Sequence, residues 1–181
     1  MNSKSKIFLL LLIGVSFYSS GCKKLDKYTQ FNMAFDDSVV IPSSTGINLP
    51  LNILSQDVET NSESTFEVND TRKDLVEEIN LTALELTILT PSAEDFSFLK
   101  SITIFLNAEG LPETKVAWND NVSSTVGKIL SLEVNSADLK EFIKKDKFSL
   151  RVNTITDEIL TSDYSINVHS VFYVDAKILG Q

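Results

Sequence analysis

The chain has 181 residues, with 25 acidic and 16 basic side chains, a formal charge of −9, one cysteine and one histidine. This length suits one domain that can bury a sizeable hydrophobic core. The acidic balance excludes a basic face that could neutralise nucleic-acid phosphates, and the single cysteine excludes an intramolecular disulfide.

The first 21 residues have the three-part layout of a secretory signal peptide. Lys4 and Lys6 precede an apolar run over residues 7–15, and small residues follow it. This run is too short to cross a hydrocarbon core of roughly 30 Å, which needs about 20 residues. We therefore expect residues 1–21 to be removed, which leaves 160 residues with a charge near −11 because the removed part carries two lysines and no acid.

The signal ends in Ser19-Ser20-Gly21-Cys22, which contains the only cysteine. This motif resembles the lipobox of bacterial lipoproteins, in the Ser-rich version typical of Bacteroidetes-type lipoproteins, although the usual pattern has Leu where Ser19 stands. The resemblance implies that the Cys22 thiol receives a diacylglyceryl group and that Cys22 becomes the new N-terminus. The alternative is a plain signal peptide cut elsewhere, which would leave a free thiol.

The resemblance covers only the first 22 residues, and it implies a position in the cell. Two or three acyl chains would hold Cys22 on a membrane, because each buried methylene contributes about 0.8 kcal/mol. Residues 22–27 form the predicted tether, which has lysines but no early acidic cluster. In this lipoprotein class an acidic run after the cysteine accompanies export to the cell surface, so we expect an outer-membrane protein that faces the periplasm.

Residues 28–181 are predicted to form a single domain, and its first half contains mostly strands. Residues 28–41 alternate as a long bent strand, and residues 47–54, with Pro50, suit an edge strand. Residues 55–64 are predicted to form a loop, and residues 65–68 a short strand. Asp70 or Thr71 is the predicted cap of a helix over residues 72–79, because Leu75, Val76 and Ile79 recur at helical spacing.

The second half follows the same alternation. Further strands are predicted around residues 84–88, 100–107, 114–118, 129–134, 148–152 and 164–178, with a short helix capped by Ser136. The last strand is the most regular and long enough that it must be central or curved. Some eight strands and two short helices predict a mainly β fold, an antiparallel β-sandwich of immunoglobulin-like or similar type. This body also resembles small lipoproteins of the same bacteria, from which no functional residue transfers.

The search for catalytic or metal-binding residues leaves few candidates. His169 falls on the polar face of its strand and suits a half-exposed structural role, and no Gly-rich phosphate loop is present. We therefore predict no cofactor, no resident metal and no catalytic residue. Two alternatives stay open: a hydrolase built on a carboxylate pair, and a calcium-dependent carbohydrate or peptide binder. The candidate carboxylate pairs are Asp36 with Asp37 and Glu94 with Asp95, and the candidate calcium loop is Asn119-Asp120-Asn121.

Two further residues bear on function. Trp118 stands beside polar Asn119 and Asp120, so its ring either stacks on a sugar or plugs the core. Asp37-Ser38-Val39 resembles the acceptor motif for O-glycosylation of exported proteins in the same bacteria, which makes Ser38 a candidate modification site. We expect a lipid-anchored envelope protein that acts as a structural or binding module without catalysis, with an envelope protein or a carbohydrate as its partner.

Overall fold

The computed structural model describes residues 30–43 and 46–177. The predicted signal peptide, the lipobox with Cys22 and the tether over residues 22–27 lie outside these described residues. In the described part of the chain, no helix is long and apolar enough to cross a membrane.

The described residues form ten strands, two short α-helices and one 3₁₀ turn. The strands are β1 (Gln30–Ile41), β2 (Leu51–Leu54), β3 (Val58–Glu59), β4 (Val76–Thr90), β5 (Leu99–Asn107), β6 (Thr114–Asn119), β7 (Ile129–Ser131), β8 (Glu133–Val134), β9 (Lys147–Thr156) and β10 (Tyr164–Ala176). The helices are α1 (Ser62–Val68) and α2 (Lys140–Ile143), and the 3₁₀ turn is Phe96–Phe98.

The strands make two antiparallel sheets, which confirms the predicted β-sandwich. The smaller sheet has the order β1-β10-β4-β7, and the larger has β2-β9-β5-β6-β8, with β3 also paired to β9. Strands β7 and β8 lie in different sheets although only Leu132 separates them, so the chain crosses between the sheets there. Strand β2 is an edge strand, as predicted, and β10 lies between β1 and β4.

The core lies between the two sheets and follows the predicted alternation. Every second residue of β10 is buried, and the residues between them are half-exposed. The buried members of β10 are Tyr164, Ile166, Val168, Ser170, Phe172, Val174 and Ala176. The rings of Phe148 in β9 and Phe35 in β1 meet edge to face at 5.3 Å, which joins the two sheets. Each such buried side chain contributes about 1.5–3 kcal/mol of hydrophobic free energy.

The predictions for residues 55–79 are wrong in three places. The predicted loop contains β3, and α1 replaces the predicted strand at residues 65–68. Asn61, with φ 46°, opens this helix, and the fully buried Phe66 holds it against the core. The predicted helix at residues 72–79 is a turn followed by the start of β4. Ile79 there pairs with Val174 of β10, so pairing with a central strand overrides the helical spacing.

Residues 129–143 also differ from the prediction. The single strand over residues 129–134 is divided between the two sheets as β7 and β8. Ser136 does not cap α2, which begins later, at Lys140. Asp138 holds the start of this helix, because its Oδ1 accepts hydrogen bonds from the backbone amides of Ile79 and Lys140, each at 3.1 Å. The buried side chains of the segment, Leu139, Phe142 and Ile143, are those predicted.

Candidate functional site

Two aromatic and two basic side chains meet on the outer face of the larger sheet, and we call Phe105, Lys115, Trp118 and Arg151 the aromatic face. Strand pairing places Phe105 between Lys115 of β6 and Arg151 of β9. Both rings are half-exposed, whereas Ile104 and Leu106, the neighbours of Phe105 in β5, are fully buried. The two rings therefore point away from the core.

An irregularity in β6 brings Lys115 and Trp118 onto the same side. The register between β5 and β6 shifts between Ile104 and Phe105, and both Val116 and Ala117 point inward. Lys115 and Trp118 therefore flank this bulge on the outer face. The Lys115 Nζ lies 4.2 Å from the centre of the Trp118 ring, at a distance typical of a cation–π contact.

Arg151 is held in place by several contacts at once. Its Cζ lies 4.0 Å from the centre of the Phe105 ring. Its Nε donates to Glu113 Oε1 at 2.7 Å, its Nη2 donates to Glu113 Oε2, and its Nη1 donates to Asn52 Oδ1 at 2.7 Å. The hydrogen bonds from Arg151 hold the pKa of Glu113 below its usual range, although partial burial opposes the shift. A fixed, planar guanidinium is thus presented beside an aromatic ring.

A row of polar groups crosses the sheet next to these side chains. The row runs through one residue of each strand, from Asn52 in β2 to Asn153 in β9, then to Thr103 in β5 and Trp118 in β6. Asn153 Nδ2 donates to Asn52 Oδ1 at 3.0 Å. Within residues 30–43 and 46–177, neither the indole N–H of Trp118 nor the hydroxyl of Thr103 has a hydrogen-bond partner. Strands spaced about 4.8 Å apart therefore present half-exposed rings next to unused polar groups.

The aromatic face continues towards a cleft at one end of the larger sheet. Asn107 and Ser149 are the next outward-facing pair along β5 and β9, and both line a cleft of about 650 Å³. Lys147 in this cleft forms an ion pair with Asp57. The hydrogen bond and charge of Asp57 raise the pKa of Lys147, and the charges of Glu59 and Glu109 add to the effect. The cleft is lined by both charge signs, with carboxylates in excess.

The outer face of the smaller sheet carries the sole histidine. His169 is half-exposed on the polar face of β10, as predicted, and its Nδ1 lies 2.9 Å from Asp36 Oδ1. Asn167 donates to the same oxygen at 3.0 Å. The hydrogen bond from Asn167, followed by that of His169, lowers the pKa of Asp36. Asp36, Asn167 and His169 therefore form one hydrogen-bonded cluster on this face.

The structure does not bring Asp36 and Asp37 together as a carboxylate pair. Adjacent residues of a strand point to opposite faces, so Asp36 faces water and Asp37 turns inward beside the free edge of β1. Asp37 Oδ1 accepts from the Ser38 amide at 2.7 Å, and its Oδ2 is buried with no partner among the described residues. An inward carboxylate on an edge strand opposes pairing with another chain. Ser38 is exposed.

The other predicted candidates take part in local contacts. Asp95 caps the 3₁₀ turn by accepting from the Ser97 amide at 2.9 Å, and hydrogen bonds from the Ser97 side chain and from this amide lower the pKa of Asp95. Asn119 Oδ1 accepts from the Asn121 amide at 3.0 Å. Among the residues that the structure describes, no group of three or more His, Cys, Asp or Glu side chains could hold a metal ion.

A hydrolase that uses a carboxylate pair needs one acid with a raised pKa. In the described part of the chain, every carboxyl group with a resolved shift has a lowered pKa. These groups are Asp36, Asp95, Glu113, Asp138 and Asp163. Each of them accepts hydrogen bonds that favour its ionised form.

Sequence reasoning singled out Trp118 but missed its neighbours on the aromatic face. Phe105, Lys115 and Arg151 lie on three different strands, and Lys115 reaches the outer face only because β6 contains a bulge. The period-two alternation predicted the strands that carry Phe105 and Arg151, but it did not single out either residue. A one-residue irregularity between two particular strands leaves no such local pattern.

Comparisons with known proteins add little to this picture. No protein-family model matches the chain, and no curated protein matches it. One similar solved structure is CpGH89CBM32-5 from Clostridium perfringens, in complex with GalNAc-beta-1,3-galactose, with a TM-score of 0.35 and 14% identity over 80% of this chain and 97% of that chain. Another is Desmodium yellow mottle tymovirus, with a TM-score of 0.26 and 13% identity over 84% of this chain and 85% of that chain. Neither likeness is close enough to carry an argument about function.

Proposed function

We propose that the protein is a lipid-anchored cell-envelope protein whose sandwich binds carbohydrate through its aromatic face, without catalysis. In this proposal acyl chains on Cys22 attach it to the outer membrane, and the domain faces the periplasm. The signal-like segment and Ser19-Ser20-Gly21-Cys22 support the anchor. The observation that carries the binding role is the pair of half-exposed rings, Phe105 and Trp118, beside polar groups that have no hydrogen-bond partner among the described residues.

Carbohydrate suits this surface for chemical reasons. A sugar ring has an apolar face of C–H groups and a rim of hydroxyls, so it needs an aromatic plane with donors and acceptors beside it. The Trp118 ring supplies the plane, while its indole N–H and the Thr103 hydroxyl supply hydrogen-bonding groups that no other described residue uses. The outer face and the adjoining cleft of about 650 Å³ together leave room for more than one sugar unit.

The binding test compares two half-exposed aromatic residues on opposite faces. The full chain is titrated with a panel of envelope and plant oligosaccharides, and affinity is measured by calorimetry. We expect Trp118→Ala to weaken binding of the recognised sugar by about tenfold, since an aromatic stacking contact contributes about 0.5–1.5 kcal/mol and about 1.4 kcal/mol corresponds to tenfold. Tyr173→Ala removes a half-exposed ring from the other sheet and should leave binding unchanged.

Two further measurements distinguish this proposal from the hydrolase and from the calcium-dependent binder. Reducing ends should stay constant during long incubation with the sugar, whereas their release would indicate the carboxylate-pair hydrolase. Binding should be equal with calcium and with a chelator, whereas dependence on calcium would favour the calcium-dependent binder. Equal losses in the Trp118 and Tyr173 variants, or no binding to any sugar, would contradict the proposed site.

The anchor and the modification are tested separately. We expect Cys22→Ala to release the protein from the membrane fraction, because no other acylation site is proposed, and unaltered membrane association would disprove lipidation. For Ser38, the mass of the exported protein should fall by that of a glycan in Ser38→Ala. A second exposed serine, Ser64, provides the control, because Ser64→Ala should leave the glycan in place.

A further inference from the structure

Four loops come together at one end of the sandwich, which we call the tip. They contain residues 42–43 with 46–50, 91–98, 120–128 and 157–163. The Ser43 amide donates to Asp163 Oδ1 at 2.8 Å, and the Asp157 amide donates to the Phe98 carbonyl at 3.1 Å. The Phe96 amide donates to the Gly127 carbonyl at 3.2 Å. Hydrogen bonds thus join loops from both sheets into one surface.

Apolar side chains are concentrated at this tip and on the strand ends that lead to it. Six of the eight large apolar residues that are exposed in the described part of the chain lie here, whereas Leu54 and Val68 lie elsewhere. The six are Val40 (48% exposed), Ile47 (39%), Leu49 (63%), Leu89 (50%), Ile129 (55%) and Ile159 (71%). Single exposed apolar residues are ordinary, but their concentration at one end of the sandwich is typical of an interaction site.

The charges around these residues are mostly negative. The loops of the tip carry six carboxylates, while Lys128 and the adjacent Lys100 are the basic residues. Lys100 Nζ donates to Asn48 Oδ1 at 3.1 Å, and Lys128 Nζ donates to the Ser92 carbonyl, so neither lysine forms an ion pair among the described residues. The carboxylates are Glu94, Asp95, Asp120, Asp157, Glu158 and Asp163. These charges also act on Tyr164. Burial raises the pKa of Tyr164, and the charges of Glu94, Glu158 and Asp95 raise it further.

We infer that the tip is a docking surface for a protein segment in which apolar side chains alternate with lysine or arginine. Apolar residues of the partner would cover Leu49, Leu89 and Ile159, and its basic residues would meet the carboxylates. A second copy of this chain fits poorly, because it would bring carboxylates against carboxylates. An anionic lipid surface is disfavoured for the same reason.

The direction of the strands adds a geometric argument that rests on the proposed lipid anchor. Strand β1 begins at Gln30, eight residues after Cys22, and ends at Ile41 beside the tip. Twelve residues at about 3.3 Å each span roughly 40 Å. A domain held through Cys22 therefore presents the tip away from the point where its chain leaves the membrane, which suits a partner across the periplasm.

The test uses the full chain as the cell produces it and three short synthetic peptides of equal length. One alternates leucine with lysine, one leucine with glutamate, and one serine with lysine. We expect the leucine–lysine peptide to bind about tenfold tighter than either of the others, with an affinity that falls as salt rises. Isothermal calorimetry measures all three.

Matched variants decide whether the peptide binds at the tip. The double substitution Leu89→Ser with Ile159→Ser should weaken the leucine–lysine peptide by about tenfold, because it removes two exposed apolar contacts. The double substitution Leu54→Ser with Val68→Ser removes two comparably exposed residues elsewhere and should have no effect. Equal losses in the two variants would overturn the inference. Equal binding of the serine–lysine peptide would also overturn it, because charge alone would then be sufficient.

Discussion

The outer faces of the two sheets share a strand pattern but differ in how their polar groups are used. On the smaller sheet, Asp36, Asn167 and His169 hydrogen-bond to one another. On the larger sheet, Arg151 and the two asparagines form a similar network, yet the indole N–H of Trp118 has no partner among the described residues. The three polar side chains around His169 therefore satisfy one another, whereas the indole N–H of Trp118 is unpaired in the described part of the chain.

This difference arises from local irregularities and not from composition. Both faces combine an aromatic ring with asparagine and acidic residues, and Tyr173 on the smaller sheet is half-exposed like Trp118. Only the bulge in β6 places a lysine and a tryptophan side by side. Substitutions that act on one face or on both therefore test how independent the two surfaces are.

The largest effect is expected where the sheets touch. Phe148→Ala should lower the free energy of unfolding by about 3–5 kcal/mol, because it leaves a cavity where the buried ring meets Phe35 and Phe172. Urea unfolding followed by tryptophan fluorescence and by circular dichroism measures the loss. Both signals should shift together, since the faces share one core. A transition seen by only one probe would show that the sheets unfold separately.

A smaller loss of stability is expected at Asp138, whose carboxylate links α2 to β4 through hydrogen bonds. Its carboxylate accepts from two backbone amides and pairs with Lys140 Nζ at 2.9 Å. Asp138→Ala should cost about 1 kcal/mol, which allows for partial exposure of the carboxylate to water. Circular dichroism at neutral pH measures this change. Asp120→Ala, at an exposed loop position, is the control, and an equal loss there would contradict the proposed role.

Asp138 also predicts how stability depends on pH. Burial opposes ionisation, but the hydrogen bonds from Lys140 and from the Ile79 amide outweigh it and lower the pKa of Asp138. A lowered pKa in the folded state adds stability above the unfolded value of about 3.9, and this stability is lost as the pH falls through the folded value. Asp138→Asn should therefore flatten the loss of stability below about pH 4. An unchanged acid dependence would show that this carboxylate contributes little.

The fold could be predicted from the sequence where burial follows one period over many residues. Strand β10 alternates over its whole length, so its inward residues and its central position were both predictable. The turn and strand at residues 72–79 were not, because the apolar residues there also suit a helix. Pairing of Ile79 with Val174, distant in sequence, decides between the two structures.

Prediction of the candidate site from the sequence is limited in the same way. Trp118 could be singled out as an aromatic residue beside polar neighbours, but Arg151 and Phe105 become its neighbours only through β9 and β5. Pairing between strands depends on contacts along the whole sheet, so a site built across three strands has no local signature. His169 was predictable because its exposure depends only on alternation within one strand.

On the larger sheet, Arg151→Lys should separate geometry from charge. Lysine keeps the positive charge but cannot make the two-pronged contact with Glu113 or stack as a plane on Phe105. We expect a loss of about 0.5–1 kcal/mol in unfolding free energy, because the pair is partly exposed. Sugar affinity should fall more than stability does. An unchanged affinity would mean that the ligand does not use this part of the aromatic face.

The smallest effect is expected on the smaller sheet, at Asp36. Asp36 and Glu85 flank His169 on neighbouring strands, but only Asp36 bonds to it. Because the Asp36 carboxylate is 63% exposed, Asp36→Asn should change the unfolding free energy by less than about 0.5 kcal/mol at pH 7. The lowered pKa of Asp36 means that its contribution is present above about pH 4, so even this small difference should vanish as the pH falls through the pKa of the folded state. Glu85→Gln is the matched control, and no effect is expected from it. A loss above about 2 kcal/mol for Asp36→Asn would instead show that the contacts of Asp36 are important for the stability of the fold.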